Sequence, residues 1–359
     1  MKNPFPLLLL LVAGMPALSQ VKENLEVVNK STVIKGSFEG AAYSKSDRLP
    51  FREIIVFDKR YDTSKTGYMP VSAKNYSRVE INQSWSSLLN SYFKKNLDSQ
   101  SNKSLVIFIK SFWLQAGPPS QLVKSKVSKE SGFAIGNPFS NERGTLMGSC
   151  SAALDMFVQT DSTLQALFKL DTCFLNMSRY KKNKLDDIFF LPFDSLARKL
   201  QSTLIPEVVA KRKKLSWTEV HNYYNNRFSL PILSNTQINK GVFHRFEDFR
   251  LNNPSSAQFS FKNGKLTDEL YIVSGGQEQL ITEYWGFFDG KDLYIQAGMS
   301  AFKAVRQNNT FEFYGSNQVS TYFSSTRTSI MQRPGDISFL SSGMVKTIFQ
   351  VNMDTGKVY

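Results

Sequence analysis

The first half of the chain mixes helical and strand-like patterns of apolar residues. Apolar positions recur every three or four residues over 84–97 and 192–204, which predicts two amphipathic helices, the first starting at an N-cap serine, Ser84. A nearly unbroken β-branched and aromatic run at 104–114 predicts a central strand covered on both faces. Residues 52–61 predict another strand. The second helix has four apolar residues on one side: Phe193, Leu196, Leu200 and Leu204.

A hairpin is predicted from strands 148–159 and 164–175, and it carries both cysteines of the chain. The even-numbered apolar residues of both strands are expected to face one core. On that alternation Cys150 points inward and Cys173 points outward, and opposite faces of a sheet cannot be bridged without a bulge. The pattern therefore favours two unpaired thiols, against the disulfide that an even cysteine count suggests in an exported protein.

The second half of the chain is dominated by strand patterns. Asp289-Gly290 is a strong turn signal between two apolar runs, and Asn263-Gly264 marks another turn. A short helix is predicted at 243–251. Strand-like runs recur at 257–262, 269–274, 280–288, 292–297, 310–314 and 345–351. Their closeness predicts an antiparallel meander that closes into a small sandwich or partly open barrel.

The predicted class is α+β, with a mixed α/β domain at 20–210, a sheet with two helices, followed by a β-rich domain at 215–359. Between them lies a cationic run of four residues, Lys211 to Lys214, which is typical of a solvated linker and alternatively of a binding patch. An irregular stretch at 115–143 is either a disordered insertion or a partner-binding loop. Its binding candidates are Lys124, Lys126 and Lys129.

The N-terminus has the three parts of a cleavable export signal. Lys2 is followed by an apolar run at 7–13 and by the small residues Ala17 and Ser19, so cleavage is expected to remove 1–19 and leave Gln20 first. The apolar tract is too short to cross a bilayer, and no later stretch is long enough. The sequence thus predicts a soluble exported protein of the periplasm, cell surface or extracellular space.

The charge balance is strongly basic. Lys and Arg number 44 and Asp and Glu 30, which gives a net charge of +14. In an exported protein this favours another envelope protein, an acidic envelope polymer or anionic head groups over nucleic acid as the partner. The alternative is that the charge serves solubility alone.

No catalytic or metal-binding motif is visible. The two histidines, His221 and His244, lack metal-ligand spacing, and neither a P-loop, a CxxC, an HExxH nor a nucleophile elbow occurs. Acid pairs such as Glu247 with Asp248 and Glu283 with Asp289 have no evident catalytic partner. The sequence therefore indicates no cofactor and favours a non-enzymatic binding or accessory module.

Aromatic residues are concentrated in two places of the second half, which supports an alternative function. The first group contains Trp217 and the second contains Trp285 and Phe287. Exposed, such rings stack on sugars, whereas buried rings form core, and the alternation over 284–288 is typical of a covered strand. With Trp217 and Trp285 as binding candidates, the alternative is a glycan-binding or glycan-cleaving protein that uses these aromatics and nearby carboxylates.

Two blocks resemble known groups of proteins. The element order around Asp58-Lys59-Arg60, Asp62 and Gly67 resembles the small domain of bacterial transport-accessory and outer-membrane assembly lipoproteins, although the lipidated cysteine is missing. The second block is similar to uncharacterised exported proteins of Gram-negative bacteria. It comprises Lys240-Gly241-Val242-Phe243, Phe246-Glu247-Asp248-Phe249, Asn253-Pro254-Ser255 and Trp285-Gly286. Neither resemblance assigns a role to any residue.

Overall fold

A computed structural model describes most of the chain and gives a mixed fold with more strand than helix, in agreement with the predicted α+β class. The described ranges are 26–34, 48–70, 75–116, 145–179, 185–262, 268–297, 300–316 and 346–359. The predicted leader, residues 117–143 of the predicted loop and the Asn263-Gly264 turn lie outside them.

A large sheet organises the first half of the described chain. Its strands are β1 (Glu26–Ile34), β2 (Glu53–Asp58), β3 (Gly67–Pro70), β4 (Asn75–Ile81), β5 (Lys103–Ala116), β6 (Thr145–Thr160), β7 (Thr163–Arg179) and β8 (Lys214–Ser216). The order is β1-β4-β3-β5-β6-β7-β8, and β2 pairs with β5 in parallel. The predicted central strand is confirmed as β5, whose residues 105–109 are fully buried because both faces of the sheet are covered.

Helices cover both faces of this sheet. They are α1 (Trp85–Tyr92), α2 (Leu185–Ser202), α3 (Ile205–Ala210) and α4 (Trp217–Asn226). The predicted cap of α1 is confirmed, since Ser87 N donates to Ser84 Oγ at 3.1 Å. Helix α2 begins before the predicted 192 and ends at Ser202. Leu204 is consequently 66% exposed, so its predicted place on the buried side of α2 is wrong.

The predicted hairpin is confirmed as β6 and β7, but a bulge divides its buried residues between two cores. The register shifts between Asp155 and Phe157, so two residues of β7 lie opposite one of β6. Leu164 packs against α4 on one face of the sheet and Leu170 packs on the other. The expectation that all even-numbered apolar residues share one core is therefore wrong.

The cysteines lie beyond the bulge, where the predicted alternation holds. Cys150 is fully buried beneath the large sheet, Cys173 is exposed on the opposite face, and both thiols are free.

Two antiparallel sheets make up the second half of the described chain. The larger has β9 (Gly241–Phe243), β13 (Gly286–Phe288), β14 (Leu293–Ala297), β15 (Ser300–Gln307), β16 (Thr310–Ser316) and β17 (Lys346–Gln350) in the order β17-β16-β15-β14-β13-β9. The smaller has β10 (Phe259–Lys262), β11 (Glu269–Ser274) and β12 (Gln277–Ile281). Asp289-Gly290 lies in the predicted turn between β13 and β14, with φ of 100° at Gly290. The single strand predicted at 280–288 is instead two strands in different sheets.

Each face of the six-stranded sheet buries its own aromatic core. On one face, α5 (Pro231–Ser234) and α6 (Phe246–Arg250) pack around Phe249 and Phe311. Helix α6 confirms the short helix predicted at 243–251. On the other face the smaller sheet packs through Phe261 against Phe287 and Tyr294. The second half is thus built as stacked layers.

The two halves of the chain contact each other directly. Tyr68 and Trp113 of the large sheet pack with Ile348 of β17, and Tyr61 donates a hydrogen bond to Asp354 at 2.8 Å. Strand β8 begins within the predicted boundary at 210–215 and α4 follows it, yet β8 pairs with β7 and α4 packs on the large sheet. The division into two domains stays a prediction.

Candidate binding surface

Helix α4 and strand β8 hold the cationic run at the surface of the large sheet. Ser216 caps α4 in a reciprocal arrangement, since Glu219 N donates to Ser216 Oγ at 3.2 Å and Ser216 N donates to Glu219 at 2.7 Å. These hydrogen bonds from Ser216, together with Lys213, lower the pKa of Glu219. On the preceding side, Gln165 Nε2 donates to the carbonyls of Val209 and Arg212 at 2.9 and 3.2 Å. Hydrogen bonds therefore fix the backbone on both sides of the cationic run.

All four side chains of the cationic run are exposed. Within the described part of the chain, only Lys213 forms an ion pair, with Glu219 at 3.4 Å, and both of its members are exposed. An exposed pair of this kind contributes little and is screened by salt. Three unneutralised cations therefore face solvent within a short segment.

A stripe of residues on α4, here called the α4 stripe, continues from the cationic run. It consists of Trp217, His221 and Asn225, which are spaced four apart and so lie on one side of the helix. Trp217 contacts Phe57 of β2 edge-on at 5.5 Å between ring centroids, and His221 contacts Phe57 at 4.9 Å. Asn225 accepts a hydrogen bond from Lys59 Nζ at 2.9 Å.

His221 of the stripe is half-buried between aromatic rings. Phe108 and Trp217 lie at 5.8 and 5.6 Å from its ring centroid. Burial first, and then the charge of Lys59, lower the pKa of His221 below its ordinary value of 6.5. The stripe thus presents a neutral aromatic surface beside a cation, while the net positive charge comes from the run before it.

The structure separates the five predicted binding residues. Trp217 is half-buried in the α4 stripe, whereas Trp285 is 9% exposed and stacks on Phe249 at 4.3 Å. Phe287, from the same aromatic group, is fully buried, as expected for the covered strand predicted over 284–288. The buried rings have little free surface for stacking on a ligand. Lys124, Lys126 and Lys129 lie outside the described residues.

Three of the candidate acids, and the second histidine, make local contacts. Glu247 pairs with Arg250 at 2.9 Å, and Asp248 accepts the backbone N–H of Arg245 at 2.9 Å to cap α6. Asp289 accepts backbone N–H groups at 2.7 Å within its turn. His244 Nδ1 lies 3.4 Å from a backbone carbonyl. Across the described ranges, no group of three or more His, Cys, Asp or Glu residues has an arrangement that would hold a metal ion.

One depression of about 540 Å³ lies on the outer side of α1. It is lined by Arg52, Ser87, Asn90, Ser91, Lys94, Leu97 and Ser99. The amide of Asn90 is occupied by the backbone of Ile54, with hydrogen bonds of 2.9 and 2.7 Å, and Arg52 pairs with Glu53. The depression offers a ligand fewer free groups than the cationic run does.

A buried ionic cluster that no sequence pattern indicates lies where the two halves meet. This junction cluster comprises Asp62, Lys65, Tyr68, Asn308 and Glu312. Lys65 Nζ lies 2.5 Å from Asp62 and 3.0 Å from Glu312, and Tyr68 donates to Glu312 at 2.9 Å. Asn308 donates to Asp62 at 2.8 Å.

Burial and pairing act in opposite directions on the two acids of the junction cluster. Burial raises the pKa of Glu312 despite the attraction of Lys65. Burial also pushes the pKa of Asp62 upward, but hydrogen bonds from Lys65 and Ser64 with the charge of Lys65 outweigh it and lower that pKa. The side chains of Lys65, Asp62 and Glu312 are at most 6% exposed, so the cluster joins the halves and does not face a ligand.

No protein-family model matches the chain, and no curated protein matches it either. The two resemblances therefore stay predictions. In the described part of the chain, no helix combines the length and the apolar character needed to cross a membrane.

Proposed function

We propose that the protein is an exported, non-enzymatic module that binds an acidic component of the cell envelope. The contact surface is the cationic run together with the α4 stripe. The observation that carries the proposal is the set of three exposed cations without ion-pair partners in the described chain, held by β8 and α4 beside a half-buried tryptophan.

The physical basis is electrostatic attraction supported by an aromatic contact. A fixed group of like charges attracts an anionic polymer or acidic surface, and the excess of +14 over the chain adds a long-range term. Such attraction weakens as salt shortens the screening length, which is about 8 Å at physiological ionic strength. The contact with Trp217 is less sensitive to salt.

The leader and the domain division belong to the same proposal. We infer cleavage after residue 19 from Lys2, the apolar tract and the small residues before Gln20, and a mixed α/β domain at 20–210 followed by a β-rich domain at 215–359. N-terminal sequencing of the protein from its host tests the cleavage. A native N-terminus at Met1 in the cytosolic fraction would exclude export.

Binding to a linear polyuronate, used as an acidic probe, tests the surface directly. The variant Lys211→Gln/Arg212→Gln/Lys214→Gln is compared with Lys94→Gln/Lys240→Gln/Lys291→Gln, which removes the same charge from other exposed positions. We expect the first to lose about tenfold or more in affinity at low salt and the second to lose much less. Equal losses of affinity in the two triple variants would show that net charge alone is responsible for binding. That result would exclude the cationic run as the specific binding surface.

A pull-down from envelope extracts addresses the natural partner. We expect the wild-type protein to retain an acidic component that the first triple variant does not retain. Recovery of the same components by both proteins would contradict the assignment of the cationic run.

A further inference from the structure

Strand β7 has a long edge without a neighbouring strand in the described chain. It spans Thr163–Arg179 and pairs with β6 along nearly its whole length, but on its other side β8 pairs only with residues 163–165. From Ala166 onward no described strand continues the sheet. The backbone N–H and C=O groups of such an edge are a template for another strand.

Two exposed side chains along this edge carry opposite charges. Lys169 and Asp171 lie two positions apart, so they point to the same face of the sheet. Lys169 has no ion pair in the described chain, and the ion-pair partner of Asp171 is Lys357 at 4.0 Å, with both side chains about half exposed. Both charges are therefore available for an external contact.

This spacing is self-complementary about Leu170. When two identical strands pair antiparallel around a two-fold axis at residue 170, residue 169 of each copy lies opposite residue 171 of the other. Lys169 then meets Asp171 of the second copy on both sides of the axis, and the two Leu170 residues are adjacent. Directly opposed residues of opposite charge stabilise antiparallel pairs, and a two-fold contact closes on itself without forming fibres.

We propose that two copies of this protein associate through β7, paired antiparallel about Leu170, so that the large sheet continues across the dimer. The occupant of the edge is a second copy because the charge order of this strand complements itself. An acidic or basic strand of another protein would match only one of the two charges. The proposal is independent of polymer binding, because the residues involved lie outside the cationic run.

Charge exchange between copies gives a sharp test by sedimentation velocity over a wide concentration range. Asp171→Lys places like charges opposite each other on both sides of the axis, and so does Lys169→Asp. Each variant alone is expected to raise the dimer dissociation constant about tenfold or more. An equimolar mixture of the two variants pairs two lysines with two aspartates, so it is expected to regain the dimer as a heterodimer.

Two controls separate association from folding. Asp171 lies opposite Ala153 on β6, and Lys169 lies opposite the buried Asp155. Because Asp171→Lys places a second lysine beside Lys357, urea unfolding of both variants is measured alongside. Lys357→Ala removes the other neighbour of Asp171 and is expected to leave the dimer unchanged. A wild-type protein that is monomeric throughout would overturn the proposal. So would a dimer insensitive to Asp171→Lys, or a mixture no more associated than its components.

Discussion

Replacing Lys65 by Met tests whether the junction cluster holds the two halves of the chain together. The substitution keeps most of the side-chain volume and removes the positive charge. It leaves the carboxylates of Asp62 and Glu312 buried without their shared cation, since these side chains are 0% and 6% exposed. Breaking a buried ion pair from one side costs about 3–5 kcal/mol, because the remaining charge is uncompensated.

Urea unfolding followed by tryptophan fluorescence measures this loss. With a slope of roughly 2–3 kcal/mol per M, the midpoint is expected to fall by about 1–2.5 M. The matched control is Lys95→Met, which removes the charge of an exposed lysine and is expected to change the free energy of unfolding by less than about 0.5 kcal/mol.

The pH dependence of the loss in the free energy of unfolding provides an independent test. In the wild-type protein the pKa of Asp62 is lowered, so its stabilising contribution is present above the ordinary pKa and is lost as pH falls through the folded-state pKa. Without Lys65, burial is opposed only by the remaining hydrogen bonds, such as those from Ser64 to Asp62 and from Tyr68 to Glu312. Both pKa values are therefore expected to rise above their wild-type values, and protonation then favours the folded variant. The difference in the free energy of unfolding between the wild type and Lys65→Met is therefore expected to become smaller as pH falls from 7 toward 4.5.

Two results would refute this reasoning. One is a Lys65→Met protein within about 1 kcal/mol of the wild type at pH 7, which would mean that the carboxylates are hydrated or dispensable. The other is a deficit that stays constant with pH. The double variant Asp62→Asn/Lys65→Met leaves a single acid and is expected to recover part of the lost stability.

Three further predictions concern single sites. Leu200→Ala is expected to cost about 2–5 kcal/mol in urea unfolding, because the side chain is 2% exposed, whereas Leu204→Ala is expected to cost less than about 0.5 kcal/mol; similar losses would contradict the end of α2 at Ser202. A thiol reagent is expected to modify Cys173 in the native protein and Cys150 only on unfolding, since Cys150 is fully buried and burial raises its pKa; equal native rates would place both thiols at the surface. Ser216→Ala is expected to cost about 1 kcal/mol by removing the cap of α4, and Ser216→Asp, which keeps an acceptor, to cost less.

Local signals in the sequence predicted the elements that depend on local chemistry. Ser84 predicts the start of α1 because its hydroxyl accepts a backbone N–H. The nearly unbroken apolar run of β5 reflects burial on both faces of the sheet. The turn at Asp289-Gly290 needs a positive φ, which Gly290 adopts without strain. These interactions lie within a few residues of each other, so the sequence contains them directly.

The features that the sequence did not reveal depend on distant residues or on irregular pairing. The bulge beside Asp155 sends Leu164 to the face opposite that of Leu170, and no alternation pattern records a bulge. Within the candidate surface, Trp217 was identified from the sequence, but its partner Phe57 lies on β2, far earlier in the chain. Lys59, which donates to Asn225 of the same stripe, directly follows β2.

The junction cluster illustrates the same limit over a long separation in sequence. Tyr68 and Glu312 are 244 positions apart, so the contact of β16 with the first half could not be inferred from spacing.

The junction cluster can be completed only late in the synthesis of the chain, because Lys65 and Glu312 are far apart in sequence. Ribosomes add roughly 5–20 residues per second, so Lys65 is made roughly 10–50 s before its partner Glu312. During that interval Lys65, whose native site is buried, has been synthesised together with Asp62 but without Glu312, the second of its two counterions. The early half therefore cannot complete its native contacts until the later half has been made.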